Sequence, residues 1–230
     1  MHFEAEIQQA LITMKAMGIE PADSNPVPPT ENPDVTTENP QTGDVEGDPR
    51  NDVRFVEGSD SAASGELGAN LPPALEQYRQ DIIDASEATG VPANLLAAVI
   101  WDESKGVAAA GSTNGENGLT DSGLMQINPE TFAALKEKHP DLLSGDASDP
   151  KTNIMAGALY LKEQYDQFGD WDLALRAYNS GPLSVDPSDA SISTTGLGTQ
   201  NYVEKVNFYQ DLLSRGEQLP DGFPGGNVYY

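Results

Sequence analysis

The chain of 230 residues contains no cysteine and only two histidines, His2 and His139. Without thiols the chain has neither disulfides nor thiolate metal sites. Two histidines cannot build a multi-histidine metal centre, and they argue against a histidine-dependent catalytic triad. We therefore expect no bound metal and no cofactor, and we look for catalysis among the carboxylates.

Positive charge is also scarce, because 12 Lys and Arg residues face 37 Asp and Glu residues, for a net charge of -25. This balance excludes nucleic-acid binding through phosphate neutralisation and docking on anionic lipid through a basic patch. No apolar run approaches the roughly 20 residues of a membrane helix. No basic stretch followed by an apolar core marks a Sec-type signal peptide at the N-terminus. We predict no nucleic-acid partner and no membrane insertion.

The composition of the chain changes near residue 70. The first 70 residues carry 14 acidic and 3 basic side chains, and residues 21–64 contain seven prolines and few large apolar residues. Such a segment buries too little surface to offset the entropy of ordering its backbone. We predict a disordered acidic leader over 1–70. Apolar spacing from about Glu4 to Met17 predicts a short helix within it, either a docking or export segment or a terminal helix without a role.

The remainder of the chain has the spacing and the end signals of successive helices. Asn128, Asp149 and Asp170 are predicted N-caps, and Gly90 is a predicted helix stop. No segment shows the sustained alternation of a strand. We predict an all-α domain over 71–215 and a flexible tail over 216–230. The predicted helices are Ala74–Thr89, Pro92 to about Ser104, Pro129 toward His139, one from Pro150, Trp171–Tyr178, and Thr199 or Gln200 to Leu213.

One carboxylate, Glu103, differs from the others in its surroundings. It ends the most apolar helix of the chain and precedes a glycine-rich loop. Burial there would raise the pKa of the carboxyl, so that it is protonated near neutral pH and serves as a general acid. Its neighbour Asp102 points about 100° around the helix, and we predict that it lies at the surface.

Five ordered motifs resemble those of the soluble lytic transglycosylase (SLT) family. They are AVIWDES at 98–104, GLMQINP at 123–129, NIMAGALYL at 153–161, AYNSGP at 177–182 and NYVEKV at 201–206. The resemblance implies a goose-lysozyme-like helical domain that cleaves the glycan strands of bacterial peptidoglycan. Peptidoglycan glycan is therefore the implied substrate.

Residue by residue, the resemblance implies that Glu103 is the catalytic acid and base. Met125 and Gln126 match cleft residues that hold the sugars, and Tyr178 matches a tyrosine near the cleaved bond. Taken alone, Met125 and Tyr178 could equally be core residues, and Gln126 could be a local cap.

Other matches are looser. Asn179 matches the asparagine of the AYN motif, which we interpret as turn-forming and cleft-lining. Tyr202 matches an aromatic of the closing helix, with a positional role or simply core packing. The family serine that orients the glutamate has no single match, because the loop from Gly106 to Ser122 is longer here, and Ser122, Ser112 and Thr120 all compete.

The resemblance also implies the reaction, which gives 1,6-anhydromuramoyl ends without water. Goose-type lysozymes, which hydrolyse the same bond, resemble this scaffold but carry an aspartate where this chain has Asn128. We therefore prefer transglycosylation, with Asp121 and Glu116 as possible substitutes for that aspartate. An inactive glycan-binding or scaffold module is a further alternative.

The setting is predicted by analogy. The overall arrangement of the chain, with an acidic leader and without a Sec signal, resembles that of specialised transglycosylases of type III secretion systems. This predicts a periplasmic or secreted location by a non-Sec route, with secretion components or a chaperone bound to the leader. A phage-virion wall-degrading enzyme would look similar. The insertion from Leu183 to Gly198 is predicted to rim or cap the cleft.

Overall fold

The structure, a computed structural model, describes residues 65–113 and 120–230, apart from the side chains of residues 112, 113 and 120. The predicted helix from Glu4 to Met17, the predicted linker and Glu116 lie outside the described residues. The described helices are α1 (Pro73–Glu76), α2 (Arg79–Thr89), α3 (Ala93–Ser104), α4 (Pro129–Lys138), α5 (Pro150–Phe168), α6 (Trp171–Ser180) and α7 (Tyr202–Ser214). None of these helices is both long and apolar enough to cross a membrane.

The predicted helix ends are confirmed where a capping side chain defines them. The side chain of Asn128 accepts a hydrogen bond from the amide of Glu130, and Asp149 and Asp170 cap α5 and α6 in the same way. Gly90 ends α2 in the left-handed conformation, with φ 77°. The prediction of a single helix over 74–89 was wrong, because α1 ends at Glu76 and a separate helix, α2, begins at Arg79.

The predicted all-α class is confirmed, since the described fold is mainly helical, and the structure adds two short strand pairs that the sequence did not indicate. Strands β1 (Gly111–Thr113) and β2 (Thr120–Ser122) form one antiparallel pair, and β3 (Val185–Asp186) and β4 (Asp189–Ser193) form another. These strands have two to five residues. Alternation of apolar and polar residues becomes visible only in a longer strand with one face on the core. These short strands therefore left no such pattern in the sequence.

Helix α3 lies at the centre of the core. Its residues from Leu95 to Ile100 have 0% exposure. This explains why the sequence of α3 is apolar on every side instead of along one stripe. Helices α2 and α7 pack against α3, and α5 packs against both α2 and α6. Glu103 lies in the last turn of α3, where this central helix leaves the core.

Segments on both sides of the predicted domain contact its helices. The amide of Asn94 donates to the carbonyl of Gly65, and the indole Nε1 of Trp101 donates to the carbonyl of Pro220 at 2.8 Å. The amide of Gln200 donates to the carbonyl of Val228 at 2.7 Å. Residues 65–70 and 216–230 thus contact the helical core, although both segments lie outside the domain predicted over 71–215.

Candidate active site

The carboxyl of Glu103 is half-buried and bonded to a hydroxyl from the last helix. The phenol of Tyr202 donates to Oε1 of Glu103 at 2.7 Å. Burial raises the pKa of Glu103 to about 7, and the charges of Asp102 and Asp121 act in the same direction. The Tyr202 hydrogen bond and the charge of Lys205 oppose this rise without cancelling it. Glu103 therefore exchanges its proton close to neutral pH.

Tyr202 is the first residue of α7 and is 1% exposed. Burial raises the pKa of its phenol well above the ordinary value, and the nearby charge of Glu103 adds to this effect. The phenol consequently keeps its proton and remains a hydrogen-bond donor. We expected a positional aromatic here, and the structure brings its hydroxyl directly to the candidate acid.

The turn formed by the GLMQ motif is held in place by Asn153, a buried residue of α5. Oδ1 of Asn153 accepts from the amide of Met125 at 2.9 Å, and its Nδ2 donates to the carbonyl of Ser122 at 2.9 Å. From the other side, Oγ of Ser104 donates to the carbonyl of Leu124 at 2.8 Å. The turn is thereby positioned relative to α3. This role of Asn153 was not predicted, although a single amide among apolar helix residues is a signal of a buried polar contact.

Met125 contributes to the site through its backbone. Its side chain is fully buried against Gly157 of α5, where any Cβ would collide with the Met125 thioether. The carbonyl oxygen of Met125 accepts a hydrogen bond from the phenol of Tyr178 at 2.7 Å. The side chain therefore serves the core, which is the alternative that the sequence left open.

Tyr178 lies near enough to Glu103 for the charge of that carboxyl to act on its phenol. Burial raises the pKa of its phenol well above the ordinary value, with smaller contributions from the charges of Glu103, Tyr160 and Asp121. Its ring centroid lies 5.3 Å from that of Tyr160. With its proton directed to Met125, the phenol oxygen still has a lone pair for a substrate hydroxyl or amide.

Gln126 and Ser122 shape the loop beside Glu103. Gln126 has φ 47°, and its amide donates to the carbonyls of Ala110 and Gly123 at 3.0 and 2.8 Å. The carbonyl of Ser122 accepts from the amide of Ile127. The side chains of the competing residues 112 and 120 are outside the described part. Among the described side chains, the hydroxyl that bonds Glu103 is that of Tyr202.

Asn179 connects α6 to the segment that leads into α7. Its Oδ1 accepts from the amide of Thr199 at 2.8 Å, and a Cβ on Gly198 would collide with it. Gly198 has φ 80°, a conformation that favours glycine. The side-chain oxygen of Asn179 thus holds the segment before α7, and the predicted role of Asn179 in lining the cleft stays a prediction.

A second carboxyl, that of Asp121, lies near the site. The Nδ2 of Asn128 donates to Oδ1 of Asp121 at 3.2 Å, while the Oδ1 of Asn128 caps α4. Burial raises the pKa of Asp121, and the bond from Asn128 acts against this rise. Asn128 therefore holds the carboxyl of Asp121 by a hydrogen bond, and as an amide it cannot itself serve as a base.

The predicted surface position of Asp102 was wrong. Its side chain is 7% exposed and pairs with the 5% exposed Lys205 of α7 at 2.9 Å. Lys205 also donates to Oδ1 of Asn227 at 2.8 Å. The prediction considered α3 alone, whereas Lys205 of α7 and Asn227 of the C-terminal segment cover the part of α3 where Asp102 lies. Across the described ranges, no group of three or more His, Asp or Glu side chains is arranged to hold a metal ion.

Part of this chain is similar to a curated protein. A protein called "Transglycosylase" from Enterobacteria phage PRD1 is 33% identical over 137 residues, which are 60% of this chain and 44% of that protein. The chain thus aligns with less than half the length of this curated relative.

Two solved structures are also similar. An inactive mutant of the lytic transglycosylase Slt from Pseudomonas aeruginosa superposes with a TM-score of 0.50 at 23% identity, covering 66% of this chain and 26% of that one. The 70 kDa soluble lytic transglycosylase of Escherichia coli gives a TM-score of 0.48 at 24% identity, covering 60% and 24%. The first of these shows a shared fold. The model of the "Transglycosylase SLT domain" family matches residues 80–194, half of the chain, and the protein belongs to this family.

Proposed function

We propose that this protein is a peptidoglycan lytic transglycosylase that cleaves the β-1,4 bond between N-acetylmuramic acid and N-acetylglucosamine. The observation that carries the proposal is the Glu103 carboxyl, with a pKa of about 7 and a 2.7 Å hydrogen bond from Tyr202. A carboxyl with this pKa is able both to donate and to accept a proton near neutral pH. It also lies in the AVIWDES motif of a family to which the chain belongs.

The first step is proton donation to the leaving group. Protonated Glu103 gives its proton to the bridging oxygen, and the bond between that oxygen and C1 of the muramoyl sugar breaks. The positive charge that develops at C1 is stabilised by the N-acetyl group of the same sugar. The phenol of Tyr178, fixed by its 2.7 Å hydrogen bond to the carbonyl of Met125 and near enough to feel the charge of Glu103, would orient the sugar at this step.

The second step uses the same carboxyl as a base. Glu103, now a carboxylate, takes the proton from the C6 hydroxyl of the muramoyl sugar, and that oxygen closes on C1. The product is a 1,6-anhydromuramoyl end, and the carboxyl returns to its protonated form. During this step the Tyr202 donor stabilises the carboxylate, because a hydrogen bond to the charged form favours that form.

A hydrolase would need a second carboxylate that activates water or attacks C1. The residue after the Met-Gln-Ile run is Asn128, whose Oδ1 already caps α4. One observation favours hydrolysis as a second candidate, since Asp121 is half-buried, bonded to Asn128 and close enough to raise the pKa of Glu103. The role of Asp121 therefore decides between the two reactions.

The deciding experiment is digestion of purified peptidoglycan followed by mass spectrometry of the muropeptides. We expect anhydromuramoyl ends from the parent protein and none from Glu103→Gln. Asp121→Asn should keep the anhydro product. Glu87→Gln, which changes an exposed carboxylate of α2, is the matched control. Reducing ends that depend on Asp121 would instead show a lysozyme-like hydrolase, and intact glycan that co-sediments with the protein would show a binding module.

The biological setting is a separate proposal. The curated relative is a phage protein, which favours a phage-encoded wall-degrading enzyme over the secretion-associated enzyme that composition suggested. Both settings require local opening of the wall outside the cytoplasm. The net charge of -25 supports local action, because it supplies no long-range attraction to the anionic wall. Binding to secretion components or a chaperone through residues 1–70 stays a prediction.

A further inference from the structure

Arg176 is the largest fully buried charged side chain in the described part of the molecule, with 0% exposure. It lies on α6, between the core and the segment that precedes α7. Its Nε donates to the carbonyl of Ala190 at 2.8 Å, and its Nη2 donates to the carbonyl of Gln200 at 2.7 Å. Its Nη1 donates to the carbonyl of Thr199 at 3.0 Å and to Oγ of Ser180 at 3.1 Å.

Nη1 of Arg176 also lies 3.5 Å from Oδ1 of Asn179. Among the described residues, the partners of this guanidinium are thus backbone carbonyls, a hydroxyl and a side-chain amide oxygen, and none of them is a carboxylate. Burial lowers the pKa of Arg176 below its ordinary value, as expected for a cation without a neutralising partner. A buried charge of this kind is tolerated only when its donors are satisfied. The three carbonyls come from β4 and from the residues just before α7. Arg176 therefore connects strand β4 and the segment that precedes α7 to α6.

One of these carbonyls also bonds the backbone of Tyr202, the residue whose phenol contacts Glu103. The oxygen of Thr199 accepts from Nη1 of Arg176 and also from the amide of Tyr202 at 3.1 Å. The amide of Thr199 in turn donates to Oδ1 of Asn179 at 2.8 Å. The first turn of α7 is thus anchored to α6 on both sides of Thr199. That first turn carries the phenol that bonds Glu103.

We propose that Arg176 is a positioning residue, which sets the start of α7 so that the Tyr202 hydroxyl reaches Glu103. The planar fork of arginine holds three carbonyls in different directions at once, and the single ammonium of lysine cannot reproduce this. The inference rests on the proposed function, because its readout is the activity of Glu103. It assigns to Arg176 no contact with substrate.

The test is a double-mutant cycle between Arg176→Lys and Tyr202→Phe. Rates on soluble glycan oligomers are measured across pH for the parent, both single variants and the double variant. We expect Arg176→Lys to lower kcat by about tenfold with KM changed less than about twofold, the pattern of a lost transition-state contact. Its alkaline limb should move to higher pH, as in Tyr202→Phe. The double variant should be no slower than Tyr202→Phe alone, since the two residues act through one contact.

Several outcomes would overturn the inference. Losses that multiply in the double variant would show that Arg176 acts independently of Tyr202. A higher KM with kcat and pH profile unchanged would show a binding role instead. Arg176→Gln provides a second variant, and unfolding of both would show that Arg176 serves the fold as a whole. Arg215→Lys, which changes a 53% exposed arginine in surface ion pairs, is the control and should match the parent. A parent protein without cleavage would refute the proposed function, whereas an active parent with multiplying losses refutes only this inference.

Discussion

The phenol of Tyr202 and the carboxyl of Glu103 form a 2.7 Å hydrogen bond between residues 99 positions apart in the chain. One residue ends the central helix α3, and the other begins the last helix α7. The packing of α7 on α3 therefore decides how acidic the candidate catalyst is. It also means that changes distant from the site in sequence should alter its pH dependence.

Tyr202→Phe should raise the pKa of Glu103 above its value of about 7, because the Tyr202 hydrogen bond lowers it. The alkaline limb of the profile of kcat/KM against pH should move upward by about one to two pH units, since one hydrogen bond to a charged group contributes about 1.5–3 kcal/mol and one pKa unit corresponds to about 1.4 kcal/mol. Tyr209→Phe changes another buried tyrosine of α7 and is the control. An identical profile for the Tyr202 variant and the parent would contradict this account.

Glu103→Gln should stabilise the protein at pH 8 and leave its stability unchanged at pH 4. Folding raises the pKa of Glu103 from an ordinary 4.5 to about 7, so the native state binds more protons between these values and stability falls as pH rises through them. Glu103 as a residue is partly exposed. The expected gain at pH 8 is therefore reduced for solvent screening to about 1 kcal/mol, or roughly 2–4 °C in Tm. Thermal melts at both pH values measure it. An equal change in Tm at pH 4 and pH 8 would argue for an effect unrelated to ionisation.

Lys205→Met should destabilise the protein by about 3 kcal/mol, because it leaves the carboxylate of Asp102 buried without a partner. The two side chains are 5% and 7% exposed. Adding Asp102→Asn should recover part of the loss, which urea unfolding of the single and double variants will measure. Lys138→Met breaks an exposed pair with Glu163 and should cost less than about 1 kcal/mol. An equal loss of unfolding free energy in the two lysine variants would contradict the claim that burial makes the Asp102–Lys205 pair the more important one.

Gly157→Ala should lower both stability and activity, since the new methyl group would displace Met125, whose carbonyl holds Tyr178. The expected cost is about 1–3 kcal/mol, typical of overpacking a core. The control is Gly222→Ala, because a Cβ at Gly222 meets open space. Melting curves and muropeptide release measure both effects. Equal values for the two variants would show that Met125 moves aside without cost.

Removal of residues 216–230 should lower the Tm and the rate of cleavage. The indole of Trp101, the amide of Gln200 and the ammonium of Lys205 would each lose a partner, at about 1–3 kcal/mol for each donor left buried. Removal of residues 1–64 alone should leave Tm and rate unchanged, and this shorter chain is the control. Full activity of a chain that ends at residue 215 would support the flexible tail that composition predicts.

Much of the helical framework could be predicted because its signals are local. Asn128, Asp149 and Asp170 cap the helices that follow them, and Gly90 ends α2, each through contacts within four residues. Glu103 could be selected because the apolar run before it indicates burial. The break after Glu76 and the two hairpins were missed, since short elements carry too few residues for a period to appear.

The roles of Asn153, Asp102 and Arg176 could not be predicted from spacing. Each depends on which distant segment covers it. Asn153 bonds a turn 28 residues away, Asp102 pairs with a lysine 103 residues away, and Arg176 holds carbonyls up to 24 residues away. A polar residue on a helix is equally compatible with solvent and with a buried partner until the neighbouring elements are in place.

The amino-acid sequence alone determined the helical class, the order of the motifs and the choice of a lone glutamate, because these depend on local propensity and on residue type. Tertiary structure decided which hydroxyl bonds that glutamate, which carboxylates raise its pKa, and that the cation of Arg176 is buried against the segment before the last helix. The physical reason is that hydrogen bonding and desolvation act over a few ångströms in space, between residues that the chain itself separates by up to about a hundred positions.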